Sequence, residues 1–186
     1  YWDRPWGSPV RAYPGDYDAF VAKFSPNGTL LWNAFLGGAQ MDGGFGIGLD
    51  GSGNIYVSGY SNAAWGAPVR AFVVGPDQFL AKLDPTGNLL WLTFLGGTGN
   101  DYNNGLAVDA GGNAYVVGVS TGTWGSPVNP MVVAPVGFRD WTIAKVNSSG
   151  TLQWNTFHGG TNNDNAYAAA LDAAGGLYVA GDCRTA

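Results

Sequence analysis

The 186-residue chain has no glutamate, one histidine, one cysteine and three lysines. With Cys183 alone, no internal disulfide framework is available, and with one histidine and no cysteine cluster there is no ligand set for zinc. Charged residues make up 11% of the chain, against roughly a quarter in average proteins, and the net charge is −5. That balance argues against nucleic acid as a partner. No apolar run approaches the roughly 20 residues that cross a bilayer, and no basic-then-apolar leader opens the chain, so neither a membrane span nor a signal peptide is read here.

Abundance lies elsewhere: 31 glycines, 8 tryptophans, 9 tyrosines and 9 phenylalanines. This disfavours long helices and favours strands joined by turns, so the class is all-β. Length and a 46% hydrophobic content suffice for a real core.

The chain is written three times. "WGSPV" begins at Trp6, "WGAPV" at Trp65 and "WGSPV" at Trp124, a period of 59 residues. "AK" ends at Lys23, Lys82 and Lys145, "LLW" or "LQW" at Trp32, Trp91 and Trp154, and "YVSG", "YVVG" and "YVAG" at Gly59, Gly118 and Gly181. The third copy carries four extra residues within "VVAPVGFRDW". One repeat domain, 1–186, therefore divides into repeats at about 6–64, 65–123 and 124–186.

Within a repeat, "GLAVD", "AYVVGVS", "DQFLAKLD" and "LLWLTFLGG" read as four antiparallel strands separated by Gly/Asn/Asp turns. We name them A to D from the axis outward. Small residues (Gly46, Gly48, Ala107, Ala168, Ala170) mark strand A, and bulky Trp and Phe mark strand D. This taper is what blades crowding around an axis require. The "WGSPV" segment becomes the loop from strand B to strand C.

"DAFVAKFSPNGTLLWNAFLGG" followed by "FGIGLDGSGNIYVSGYS" resembles the beta-propeller repeat family SBBP, found in bacterial and archaeal extracellular and surface proteins. The resemblance covers nearly the whole chain, in three copies, and implies a propeller fold and an extracellular or cell-surface location. It implies no particular chemistry. "WGSPV" and the absence of glutamate depart from the family pattern.

The strand frame is CD-ABCD-ABCD-AB, with a half-blade at each end. Three blades cannot close a ring, since propellers use four to eight, so the halves are expected to find partners: a second chain in a six-bladed ring, successive chains in a filament, or further blades of a longer chain. The interface expected for such an assembly comprises Phe20, Val21 and Ala22 of strand C, Leu30, Trp32 and Phe35 of strand D, Ala168, Ala170 and Leu171 of strand A, and Leu177, Tyr178 and Val179 of strand B.

Candidate chemistry is sparse. His158 replaces Leu36 and Leu95 and reads as a tolerated strand-end substitution, while Cys183 lacks the base a nucleophile needs. Asp50 and Asp109 open hairpins as Asx turns. Asp42, Asp101 and Asp164 follow the paired glycines at 37–38, 96–97 and 159–160; calcium or a polar ligand is the chemistry they would offer around a channel mouth. No lysine or helix start follows those glycines, which excludes a phosphate loop. Asn27 ("NGT") and Asn147 ("NSS") are glycosylation sequons. No asymmetric set of acid, base and nucleophile appears, so no enzyme and no cofactor are expected. The leading expectation is a structural module assembling with copies of itself; the alternative is a glycan-binding module using loop tryptophans such as Trp65 and Trp124.

Overall fold

The computed structural model describes residues 6–15, 17–131 and 138–184, which leaves most of the four-residue insertion of the third copy outside the described residues. All regular structure among them is strand. The first pair is β1 (Ala19–Phe24) with β2 (Leu30–Leu36). Two four-stranded sheets follow, β3 (Asp42–Leu49), β4 (Ile55–Ser61), β5 (Asp77–Leu83), β6 (Leu89–Leu95), and then β7 (Asp101–Val108), β8 (Ala114–Ser120), β9 (Asp140–Val146), β10 (Leu152–His158). A last pair, β11 (Asp164–Leu171) with β12 (Leu177–Cys183), ends the series. Every pairing between these strands is antiparallel and joins sequence neighbours, so the expected frame is the observed one, and strands A, B, C and D of the first full blade are β3 to β6.

Local chemistry explains the hairpins. Asp50 accepts hydrogen bonds from the backbone N–H of Ser52 and Asn54, both at 2.9 Å, Asp172 does the same for Ala174 and Gly176, and Asn147 closes the equivalent outer turn on Ser149 and Thr151. The outer turn between β5 and β6 places Gly87 at φ 93°, where a side chain would be strained.

The taper expected of the inner strands is real. A Cβ on Gly46 would lie 2.7 Å from the Leu106 Cβ, and one on Gly48 would lie 2.6 Å from the Val108 Cγ2, so β3 and β7 approach closer than larger residues allow. Between blades, interdigitating side chains form successive apolar clusters, one around Val57, Phe79 and Phe94, the next around Leu80, Val116 and Phe157. β4, β5 and β8 are covered on both faces.

The connecting loops do more than connect. In the first full blade the Val69 N–H donates to the Leu92 carbonyl and the Phe94 N–H to the Arg70 carbonyl, so the B–C loop runs along the outer edge of β6. The same pattern joins Val10 and Arg11 to β2, and Val128 and Asn129 to β10. The outer edge of strand D in each copy is thus partly occupied by its own loop.

Candidate assembly interface

At the first two junctions between successive blades the same side chains meet. Trp65 and Trp124 are buried, as a tryptophan tucked against the blade edge requires, which corrects the alternative expectation that these loop tryptophans offer rings to a sugar. Their loops fold back because the following glycines adopt left-handed conformations, φ 63° at Gly66 and 67° at Gly125. Trp65 packs edge-on against Phe79 and Phe94, and Trp124 against Phe157.

The paired glycines explain the close approach. A Cβ on Gly38 would stand 3.0 Å from the Trp65 Cβ, and one on Gly97 would stand 2.7 Å from the Trp124 Cβ. Gly160, the third of the series, has Asp164 at 3.9 Å and no tryptophan against it. Arg11 and Arg70 complete the junction: the Arg70 guanidinium donates to the carbonyls of Phe94 (2.9 Å) and Gly96 (2.7 Å) and lies 5.5 Å from the Trp124 ring centre. Arg11 repeats this under Trp65 at 4.9 Å. Sequence reasoning passed over these arginines, although "WGSPVR" and "WGAPVR" place them five residues after each tryptophan and the third copy has Asn129 instead.

Asp42, Asp101 and Asp164 are buried, each capping its own glycine turn through the N–H of Gly38, Gly97 or Gly160 at 2.7–3.0 Å. Gly96 is wedged between two carboxylates, since a Cβ there would come within 2.8 Å of Asp101 Oδ2 and closer still to Asp77. Burial pushes Asp77 and Asp101 up to about 6 each, opposed at Asp77 by the Val73 N–H and by Arg70, and reinforced at Asp101 by the charge of Asp77. Burial likewise raises Asp42. Among the described residues no cluster of three His, Cys, Asp or Glu side chains forms, so these aspartates sit in acid pairs at the junctions rather than in a shared ring of ligands.

The other predicted residues fall as follows. His158 stacks on Trp141, with centroids 4.7 Å apart, and Cys183 is a free, exposed thiol at the end of β12. Asn27 is exposed in the β1–β2 turn and accepts from Thr29, whereas the Asn147 carbonyl oxygen is taken up by its own turn.

The interface residues divide sharply. Val21 and Phe35 are already buried within the chain, Val21 in the cluster that holds Trp65 and Phe35 against Tyr13, and Trp32 packs partly into the same cluster. Leu30, Ala22, Leu171, Leu177 and Val179 are half-buried, and Phe20, Ala168, Ala170 and Tyr178 are exposed. The contrast with complete blades is direct. Phe20 is 57% exposed on β1, while Phe79, at the same position of β5, is 0% exposed; Tyr178 is 64% exposed on β12, while Tyr56, at the same position of β4, is 0% exposed. Two further exposed residues of β1, Lys23 and Phe24, belong to this open half and were not anticipated.

Radially stacked four-stranded antiparallel sheets, small residues inside and aromatic residues outside, are β-propeller blades. Residues 36–64 match the beta-propeller repeat family, SBBP. The chain is also similar to the regulatory protein FlaEY of Caulobacter vibrioides, 32% identical over 152 residues that cover 76% of this chain and 15% of that protein. The chain therefore spans about 15% of that relative's length. No helix among the described residues is long and apolar enough to cross a membrane.

Proposed function

We propose that this is an extracellular or cell-surface structural module that assembles head to tail with a second copy of itself, β12 of one copy pairing with β1 of the next to complete a four-stranded blade. In this reading the module is a scaffold and performs no catalysis.

The observation that carries the proposal is the exposure of Phe20 and Tyr178 where the equivalent Phe79 and Tyr56 are wholly covered. Those two strands are already the two halves of one repeat, and the full blades supply the template: Tyr56 pairs with Lys82, Val57 with Ala81 and Gly59 with Phe79. By equivalence Tyr178 would face Lys23, Val179 would face Ala22 and Gly181 would face Phe20. Trp6 of the incoming copy would then fill the space in front of Gly160 that Trp65 and Trp124 fill at Gly38 and Gly97. In a longer chain, neighbouring repeats of the same kind would take the same seats.

Light scattering and electron microscopy of the isolated chain test the proposal. Particles of two or more chains, with the mass falling on dilution, are expected. A stable, well-folded monomer at micromolar concentration would sink the self-assembly reading and leave blade completion to flanking repeats.

A further inference from the structure

A cavity of about 210 Å³ opens at the inner ends of three successive blades, lined by Phe45, Tyr60, Tyr102, Asn104, Arg139 and Tyr167 among others. We propose that it binds a neutral sugar unit. The site draws Asn165 and Tyr167 from the open half-blade of β11 and β12, but none of the residues that the assembly proposal pairs across the joint.

Its shape follows from one irregularity repeated in register. In each inner strand the ladder skips a residue: pairing passes from Gly44 to Gly46 in β3, from Asn103 to Gly105 in β7 and from Ala166 to Ala168 in β11. The skipped residues are Phe45, Asn104 and Tyr167, and all three line the cavity. A bulge leaves its extra residue outside the ladder and re-aims the side chain, which is why bulges recur beside binding sites. Two of the three positions carry aromatic rings and the middle one carries asparagine. The shorter side chain between two rings provides the space.

The chemistry of the walls is mixed in a way that suits a sugar. Phe45 and Tyr60 are stacked with centroids 5.8 Å apart, and Tyr60 meets Tyr102 edge-on at 5.3 Å, forming one continuous aromatic wall, with Tyr167 contributing a further ring. Such rings accept the apolar C–H face of a pyranose. Polar atoms stand beside them. Asn104 spends its amide N–H on the Ala166 carbonyl at 2.8 Å, which leaves its oxygen as an acceptor. The Arg139 Nε is buried and has no hydrogen-bond partner, an expensive state for a charged donor that a hydroxyl oxygen would relieve.

Charge favours a neutral ligand over an acidic one. Asp182 accepts hydrogen bonds from Asn165 (2.6 Å) and from the Tyr167 hydroxyl (3.2 Å), so a carboxylate adjoins the wall. An apolar ligand would leave Arg139 and Asn104 unsatisfied, and an anion would face Asp182. A hydroxylated ring meets neither penalty.

The test uses the intact chain, titrated by calorimetry and by NMR with maltotriose, cellotriose and laminaritriose, and with trigalacturonic acid as the acidic comparison. Binding of at least one neutral trisaccharide is expected, with shifts confined to the cavity residues. Tyr167→Ala, Phe45→Ala and Arg139→Ala should each weaken it by at least about tenfold. Phe45 and Tyr167 are exposed, so their variants should unfold at nearly the parent temperature, which separates lost binding from lost fold. Absence of binding across the neutral panel, binding of the acidic trimer alone, or unchanged affinity in all three variants would overturn the proposal.

Discussion

The Lys82 ammonium lies 4.9 Å from the centre of the Tyr56 ring, reaching from strand C to strand B, and forms an ion pair with Asp50 at 3.1 Å. Lys145 stands over Tyr115 in the same way at 5.1 Å. Desolvation opposes the charge on Lys82, yet Tyr56 and Asp50 outweigh it and raise its pKa. The remaining set, Tyr178 and Asp172 on one open half and Lys23 on the other, has the same residues with nothing between them. Lys23→Glu sets a carboxylate against Asp172 and should raise the dissociation constant of the assembly by at least about tenfold, near 1.4 kcal/mol. Sedimentation of the variant beside the parent chain reads this directly, and an unchanged constant would remove the lysine from the joint.

Register is open to a covalent test. With Cys183 replaced by serine, the pair Ala22→Cys and Val179→Cys should give disulfide-linked chains on mild oxidation, because Val57 pairs with Ala81 in the full blade. Ala22→Cys with Ala180→Cys is shifted by one residue, which sends the second side chain to the opposite face. Non-reducing gel electrophoresis distinguishes them; equal crosslinking would contradict the pairing.

The glycine pairs predict an asymmetry between copies. Gly97→Ala drives a methyl to 2.7 Å from the Trp124 Cβ and should cost about 1–3 kcal/mol of stability by overpacking. Gly160→Ala meets its nearest atom at 3.9 Å and should change stability by less than about 0.5 kcal/mol. It should nevertheless weaken assembly, because the methyl occupies the seat of the incoming Trp6. Thermal melts paired with light scattering separate the two effects.

Removing the buried indole is the severe change. Trp124→Ala should cost about 3–5 kcal/mol, since Trp124 is covered by Phe157 and by the Arg70 guanidinium. Denaturant unfolding gives the value, and a loss below about 1 kcal/mol would show that the junction tolerates the cavity.

Stability should rise as pH falls from neutrality. Asp77 and Asp101 titrate at about 6 in the folded chain, above the unfolded value near 3.8, so between those limits the native state holds protons that the unfolded chain has released. Their burial therefore destabilises most above pH 6 and is relieved on acidification. Asp50 behaves oppositely: desolvation raises it, but hydrogen bonds from Asn54, Lys82 and Ser52 prevail and bring it down to about 2, so its stabilisation is lost as pH falls below about 4. Melting temperatures should peak near pH 4 to 5, and Asp77→Asn should flatten the rise between pH 7 and 5. A monotonic decline from pH 7 would refute the assignment.

The strand frame was legible because period, turn chemistry and residue size agree: the segment "DQFLAKLD" became β5 and "LLWLTFLGG" became β6. The roles of the motifs between strands were not. Asp77 and Asp101 lie 24 residues apart and recur in every copy, so their alignment reveals the repeat and conceals that they face each other. That Trp65 tucks against a blade edge is readable from its loop; that its seat is Gly38, in the previous blade, is not. The bulge at Phe45, Asn104 and Tyr167 left no trace, since one skipped ladder residue does not disturb a 59-residue period.

The loop that runs along each outermost strand has a consequence for how such chains change over time. A duplicated repeat brings its own cover for its outer rim, so copying it lengthens the array without creating a new adhesive flank. Blade number is then free to drift by gene duplication, while the joint between neighbours, written in similar residues in each copy, accepts any number of them.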